Sequence, residues 1–400
     1  MKERIVLAYS GGLDTSVAVK WMQERHQAEV VTVTVDVGQQ EDLKAIEENS
    51  KKIGAVRHYS IDAREEFVKD YVFRAVKANA LYEEKYPLSS ALSRPLIVSK
   101  LVDVARKENA TAVAHGSTGK GNDQVRFDVT MKSLAPDLKI VAPIREWNLS
   151  RDEEIKYAEK NGIPIPVNID NPYSIDQNLW GRSIECGVLE DPGHEPPEEI
   201  FEWTVSPEKA PSDPEYLILG FDEGVPVTID GKKMSPAETV KALNARAGRH
   251  GIGRVDHMED RLVGIKSREC YECPAATVLL EAHKELEKTV LTRHEVLFKH
   301  QVDAQWTFLA YAGLWMEPLR EDLEEFINKT QERVTGDVKL KLYKGSATVV
   351  SRSSPFSLYD ANLATYNIET TFDQTWSPGF IEIWGLPTKA ANILKTKGKK

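Results

Sequence analysis

Residues 4–25 read RIVLAYSGGLDTSVAVKWMQER, and this stretch decides the fold. Residues 4–9 are a short β-prone apolar run, and residues 14–25 place Val17, Val19, Trp21 and Met22 at helical spacing. Ser10-Gly11-Gly12-Leu13-Asp14-Thr15-Ser16 is therefore a turn between a strand and a helix. Two glycines open backbone torsions closed to other residues, so consecutive N–H groups can turn inward. The helix that follows adds its free N–H groups and the positive end of its dipole. With hydroxyls from Ser10, Thr15 and Ser16, the segment is a cradle for a phosphate or pyrophosphate. No Gly-Lys-Ser/Thr follows and the spacing is not Gly-x-Gly-x-x-Gly, which sets aside the lysine-containing phosphate loop and the dinucleotide fingerprint.

Working outward, strand and helix alternate. Strands are expected at residues 29–36, 56–62, 112–115 and 140–142, and helices at 41–53, 65–76, 94–108 and 152–161, the third opened by Arg94-Pro95. This order predicts an α/β fold with a doubly wound parallel sheet covered on both faces. Gly162 stops the last helix and Ile163-Pro-Ile-Pro is an extended exit, so the first domain is read as 1–165. Six prolines between residues 191 and 214 imply a surface connection or arm. Hairpins at 225–231 and 338–352, with helices at 236–247 and 275–288, predict an α+β domain over 166–365. A short amphipathic segment at 387–395, too short to be stable alone, belongs to a helical tail, 366–400, that packs on another subunit.

Composition bounds the function. The 400 residues are 41% hydrophobic and 28% charged, ordinary globular usage that excludes a disordered or low-complexity chain. A formal charge of −10 disfavours a dedicated nucleic-acid binder. Neither a membrane span nor a signal peptide is expected, and three scattered cysteines do not form a disulfide framework, so a reducing cytoplasm is the expected compartment. Eleven acids in residues 186–224 and the late lysines from Lys389 onward read as solvated surface.

A second glycine-rich segment, residues 115–126 (HGSTGKGNDQVR), also follows a strand and opens a helix. Asn122 and Arg126, four apart, share a helix face and can grip one ligand together. Two anion sites at the ends of neighbouring parallel strands would share a crevice.

The first loop resembles the SGGxD[ST] loop of the ATP pyrophosphatase superfamily, whose fold is adenine nucleotide α-hydrolase-like and whose members split ATP between the α and β phosphates. AYSGGLDTS at 8–16, SRPL at 93–96, HGSTGKGNDQVRF at 115–127, PYSIDQNLWGRSIE at 172–185 and EDRLVGIKSRECYE at 259–272 narrow the resemblance to the argininosuccinate synthase family. It implies an ATP-dependent ligase that joins citrulline to aspartate through a citrullyl adenylate, giving argininosuccinate, AMP and pyrophosphate. It implies ATP with Mg²⁺, a homotetramer, and no nucleic-acid or membrane partner. ATP falls to Ala8, Tyr9, Ser10, Gly11, Gly12, Leu13, Asp14, Thr15, Ser16, Val35, Arg94, Gly116 and Asp176. Aspartate falls to Thr118, Asn122 and Asp123. Citrulline falls to Tyr86, Ser90, Asn122, Arg126, Ser174, Ser183, Glu259 and Tyr271, with Arg126 on its carboxylate and Glu259 on its ammonium. Asp14, Asn122 and Asp123 take the catalytic roles, and no resident metal is implied.

Two departures leave alternatives. Ser90-Ala91 stands where the family often has Thr-Ser, and Cys186, Cys270 and Cys273 lie within family blocks that carry no cysteine. Cys270-Tyr-Glu-Cys273 would suit an RNA thiolase of the same superfamily, which adenylates a base and delivers sulfur. A non-catalytic nucleotide-binding protein would need only the first loop.

Overall fold

The computed structural model describes residues 3–147, 149–164 and 171–397. Contacts divide the chain into one compact unit through Phe356 and a second from Ser357 onward.

The first unit opens with β1 (Arg4–Ala8), α1 (Leu13–Arg25), β2 (Glu29–Asp36), α2 (Leu43–Ile53) and β3 (Arg57–Asp62). A helical run follows: α3 (Arg64–Phe67), a π turn (Val68–Val72) and α4 (Phe73–Lys77). Then come α5 (Ser89–Lys107), β4 (Ala112–Ala114), α6 (Asp123–Leu134), β5 (Lys139–Val141), α7 (Pro143–Trp147) and α8 (Arg151–Lys160). The five strands are parallel in the order β3-β2-β1-β4-β5. Alternate residues explain the two covered faces. Ile5 and Leu7 enter a core with Val17, Met22 and Ile46, whereas Val6 enters another with Leu92, Leu96 and Phe127. This is the expected doubly wound sheet. Its order reverses between β1 and β4, and ligands of such sheets sit in the crevice beyond that point.

Two expected boundaries are corrected. The helix expected to open at Arg94-Pro95 begins at Ser89 and carries Pro95 inside it. An interior proline costs about 3 kcal/mol, but burial of Leu92, Leu96, Val98 and Leu101 at about 2 kcal/mol each outweighs it. The helix expected over 65–76 is broken by the π turn, where Val68 and Val72 are buried.

The unit continues with β6 (Ser174–Asn178), β7 (Gly181–Glu185), β8 (Glu215–Asp222), β9 (Val225–Ile229), β10 (Lys232–Lys233), α9 (Pro236–Arg249), β11 (Arg254–Asp260) and β12 (Lys266–Glu272). After these come α10 (Pro274–Val290), α11 (Arg293–Tyr311), α12 (Pro318–Gln331), β13 (Gly336–Tyr343) and β14 (Ser346–Ser353). The strands form two antiparallel sheets, β10-β9-β8-β13-β14 and β11-β12-β7-β6. The core is continuous past the exit read at 163–166: Val6 and Leu96 share a cluster with Trp180, Leu219 and Leu279. Residues 165–166 of that exit lie outside the described residues.

The second unit holds α13 (Ala361–Ala364) and α14 (Ser377–Lys397), neither with a buried residue. The amphipathic segment expected from Pro387 is corrected to this longer helix, with Pro387 inside it. One proline removes a single N–H from the ladder, and ten residues on either side carry the helix through it. Among the described residues, no helix is long and apolar enough to cross a membrane.

Candidate active site

A cavity of about 790 Å³ in the first unit opens at the β1/β4 reversal. Its floor is the loop after β1. Gly11 takes φ +79, the left-handed region, but Gly12 takes φ −72. Only Gly11 therefore uses torsional freedom, and Gly12 matters for space. A Cβ on Gly12 meets only Ser10 Oγ at 3.4 Å and otherwise stands in the cavity. Gly12 caps α1 without a side chain, which leaves the first-turn N–H groups to an anion. Ser10 Oγ accepts from Gly12 N at 3.3 Å and lies 3.1 Å from Thr15 Oγ1, which orients the hydroxyl rim.

The loop after β4 closes on the first: a Cβ on Gly116 would meet Thr15 Cγ2 at 3.0 Å. His115 holds this loop, accepting from Ser117 N at Nδ1 and donating from Nε2 to Asp128 at 2.8 Å. An ion-pair chain crosses the centre. Arg94 donates to Asp123 (2.6 and 2.8 Å) and to Asp176 (2.5 Å), and Arg126 Nη1 donates to Asp123 at 2.9 Å. Burial opposes ionisation of Asp123, but Arg94 and Arg126 outweigh it and hold its carboxyl below the usual range.

The far wall is one face of the β11-β12-β7-β6 sheet. Register places Tyr271 opposite Ser183 and Ser183 opposite Asp176. Glu269 and Glu185, two residues along their strands, and Ser174 on β6 fall on the same face by period-two alternation. Tyr86 stacks on Tyr271 with ring centroids 4.5 Å apart and accepts from Ser90 N at 2.9 Å. Glu259 accepts from the hydroxyls of Tyr271 and Tyr311, both at 2.6 Å.

Arg126 is 3% exposed. Its Nε donates to Tyr311 O at 3.0 Å and its guanidinium lies over the Tyr311 ring, yet Nη2 is buried with no protein partner. A buried guanidinium nitrogen left unpaired on a cavity wall is a built donor for a carboxylate. Asn122 departs from the expected joint grip with Arg126. Its Nδ2 donates to Tyr311 Oη (2.8 Å) and Glu259 (3.2 Å), while Oδ1 accepts from Leu262 N (2.8 Å). Its amide donors are spent on positioning those groups.

The cavity wall includes Ala8, Tyr9, Ser10, Gly12, Leu13, Asp14, Thr15, Val35, Tyr86, Ser90, Arg94, Gly116, Thr118, Asn122, Asp123, Arg126, Ser174, Asp176, Ser183, Glu259 and Tyr271. Gly11 and Ser16 stand behind it. Gly11 faces Ile46, and Ser16 is buried against the Tyr9 hydroxyl at 3.1 Å. Sequence reasoning missed Glu41, Arg151, Glu185, Arg261 and Glu269 on the wall. Strand alternation from Ser183 and Tyr271 was the available signal for Glu185 and Glu269; none marked Glu41, whose carboxyl is pushed up to about 7 by burial and then by Asp176 and Asp36.

The cysteine pair does not reach the cavity. Cys270 packs with Ile184, Leu189 and Ile200, whereas Cys273 belongs to the large core. Burial pushes the Cys270 thiol up to about 12 and raises Cys273 as well, so neither supplies a thiolate at neutral pH. The sulfur-delivery alternative is not favoured.

Comparison with known proteins agrees with this geometry. The family model described as "Arginosuccinate synthase N-terminal HUP domain" matches residues 4–164, and "Arginosuccinate synthase C-terminal domain" matches residues 173–391. Argininosuccinate synthase of Pyrococcus furiosus is 59% identical over 97% of this chain and 94% of its own length. Those of Oceanobacillus iheyensis and Geobacillus thermodenitrificans are each 56% identical, covering 100% and 99% of this chain and 96% and 97% of their own. With both family models and relatives matched over nearly the full length, the chain belongs to the argininosuccinate synthase family.

Proposed function

We propose that the cavity joins citrulline to aspartate at the expense of ATP, releasing AMP and pyrophosphate. The observation that carries this reading is the buried, unpartnered Nη2 of Arg126, a residue that lines the same cavity as the glycine-rich loop after β1. ATP lies with its phosphates on the N-terminus of α1 and the residues after β4, within reach of Arg94 and Asp176. Citrulline sets its carboxylate on Arg126 and its ammonium between Glu259 and Tyr271, with Tyr86, Ser90, Ser174 and Ser183 along its length. Aspartate takes Thr118 and the backbone at Asn122 and Asp123. Mg²⁺ arrives with ATP as part of the substrate; Asp14 and the hydroxyls of Ser10 and Thr15 are the hard oxygen donors nearest the loop, a set that suits it.

The chemistry follows from positioning. A ureido oxygen is a weak neutral nucleophile, but in-line attack on an α-phosphate depends on alignment and charge neutralisation more than on a strong base. The α1 N–H groups stabilise the departing pyrophosphate. Citrullyl adenylate stays non-covalently held, and the aspartate amine attacks its activated carbon as AMP leaves. The functional division is 1–165, which binds the nucleotide and supplies part of the amino-acid site, 166–365, which completes the substrate site, and 366–400 for assembly. A cytoplasmic homotetramer fits the second unit, whose α14 leaves Phe380, Ile383 and Trp384 each more than 60% exposed.

Omitting one component at a time from ATP, citrulline and aspartate tests the reading: argininosuccinate and AMP must require all three. With ¹⁸O in the ureido group, the label must appear in AMP. Turnover without citrulline, or unlabelled AMP, overturns it.

A further inference from the structure

The hydrogen bonds around Tyr271 do not close with ordinary protonation states. Its hydroxyl lies 2.6 Å from Glu259 Oε2 and 2.8 Å from Glu269 Oε2. A phenol has one hydrogen and donates to one of them. At the other contact two acceptor oxygens face each other unless that carboxyl brings its own proton. The remaining partners identify which one does. Glu259 Oε1 accepts from Tyr311 Oη at 2.6 Å, the shorter of that hydroxyl's two acceptor contacts (Asp260 O stands at 3.0 Å), and from Asn122 Nδ2 at 3.2 Å. With Tyr271 on Oε2, three donors point at Glu259. Glu269 has one further donor, Arg261 Nη2 at 3.1 Å, which Arg261 shares with Glu185. Burial, and after it the charge of Glu259, favours the neutral form of Glu269.

We propose that Glu269 is a further binding residue for the citrulline ammonium, that it is a neutral carboxylic acid in the free enzyme, and that it gives up its proton when the ammonium enters. This rests on the citrulline reading of the cavity. Glu269 lines the same wall as Glu259 and Tyr271, on the strand face already described. The groups facing it are Tyr271 on its own strand, Glu259 from β11, Arg261 just after β11, Glu185 from β7 and Tyr86, stacked on Tyr271 ahead of α5. His257, its register partner on β11, is paired with Glu83 at 3.1 Å. The proton balance is simple. Citrulline enters as a zwitterion, Glu269 passes H⁺ to solvent, and the two carboxylates then share the donors of the ammonium and Tyr271. Citrulline affinity therefore rises with pH while Glu269 is protonated in the free enzyme, by up to about tenfold per pH unit.

The test is calorimetric titration of citrulline into the full-length enzyme at a series of pH values, in two buffers of different ionisation enthalpy at each. The wild type should release up to about one proton per site. In Glu269→Gln, which preserves size, the release should vanish and the pH dependence of the citrulline Kd should flatten. A carboxylic-acid C=O band should disappear from wild-type infrared difference spectra on citrulline addition; this reading decides the matter if the variant does not fold. Citrulline binding without proton exchange in the wild type, or unchanged release from folded Glu269→Gln, overturns the inference. Failure of the wild type to bind citrulline at all overturns the substrate reading, and this inference with it.

Discussion

At the residue scale, the two glycines of the first loop do different work. Gly11 at φ +79, with Ile46 Cγ1 2.9 Å from an added Cβ, is a backbone requirement, while Gly12 keeps space free above the loop. Gly12→Val should abolish AMP formation in a protein whose melting temperature is nearly unchanged, and Gly11→Ala should cost about 1 kcal/mol or more of stability. Turnover assays beside thermal melts separate the two; full activity in folded Gly12→Val would remove the phosphate cradle. Arg126→Leu should weaken citrulline binding by about 2 kcal/mol or more while ATP binding changes little. Calorimetry with each ligand checks this, and equal losses for both would place the residue elsewhere. That Gly12, Asn122 and Arg126 line the cavity was legible because loop chemistry is local. The diversion of the Asn122 amide to Tyr311 and Glu259 was not, since these partners lie 189 and 137 residues away.

At the element scale, helix α8 supports the loop from behind. Glu154 is buried beside Asp14, and burial, followed by the Asp14 charge, lifts its carboxyl to about 8. An acid whose folded pKa lies above its unfolded value binds more protons when folded. Stability should therefore fall as pH rises from about 4, the unfolded value, to about 8. Glu154→Gln should flatten that fall in melting curves recorded across this range; an unchanged slope would mean that Glu154 does not hold the proton. The starts of α8 and α9 were legible to within a residue, where Ser150 and Ser235 form capping boxes with the residue three on, whereas α11, behind the same kind of box at Thr292, was missed. The start of α5 was not legible: it lies at Ser89, preceded by Leu88 at φ +65 with no side-chain cap, and Pro95 is a misleading local signal.

At the scale of the whole molecule, the first unit is joined by a buried polar cluster. Lys299 is 1% exposed and donates to Asp303 (2.8 Å) and to Lys77 O (2.7 Å), with Glu287 at 3.0 Å. Asn79 donates to Glu287 at 2.7 Å and to Asp303 at 3.1 Å. Lys299→Ala strands two buried carboxylates and should cost about 3 kcal/mol or more, measured as a lower denaturation midpoint at unchanged slope. A loss below 1 kcal/mol would mean that the cluster is not desolvated. In the second unit, Phe380 and Trp384 stack at 5.5 Å on an exposed helix. Replacing both with Ser should reduce the proposed homotetramer to smaller species by light scattering; an unchanged mass would exclude this face from the proposed subunit contact.

The sequence by itself determined the strand–helix alternation of the parallel sheet, the glycine-rich turn between β1 and α1, and the residue types that line the cavity, because helical and strand periodicity and glycine chemistry act over a few residues. Tertiary structure decided the rest. Crossover order set β1 beside β4, which brings residues 10–16 and 115–123 to one crevice. Sheet register put Glu185 and Glu269 on the wall with Ser183 and Tyr271. Long-range packing kept the core continuous beyond residue 165 and separated Cys270 from Cys273 into different clusters. Each of these depends on contacts between distant segments, whose burial energies exceed the local preferences that a linear reading can weigh.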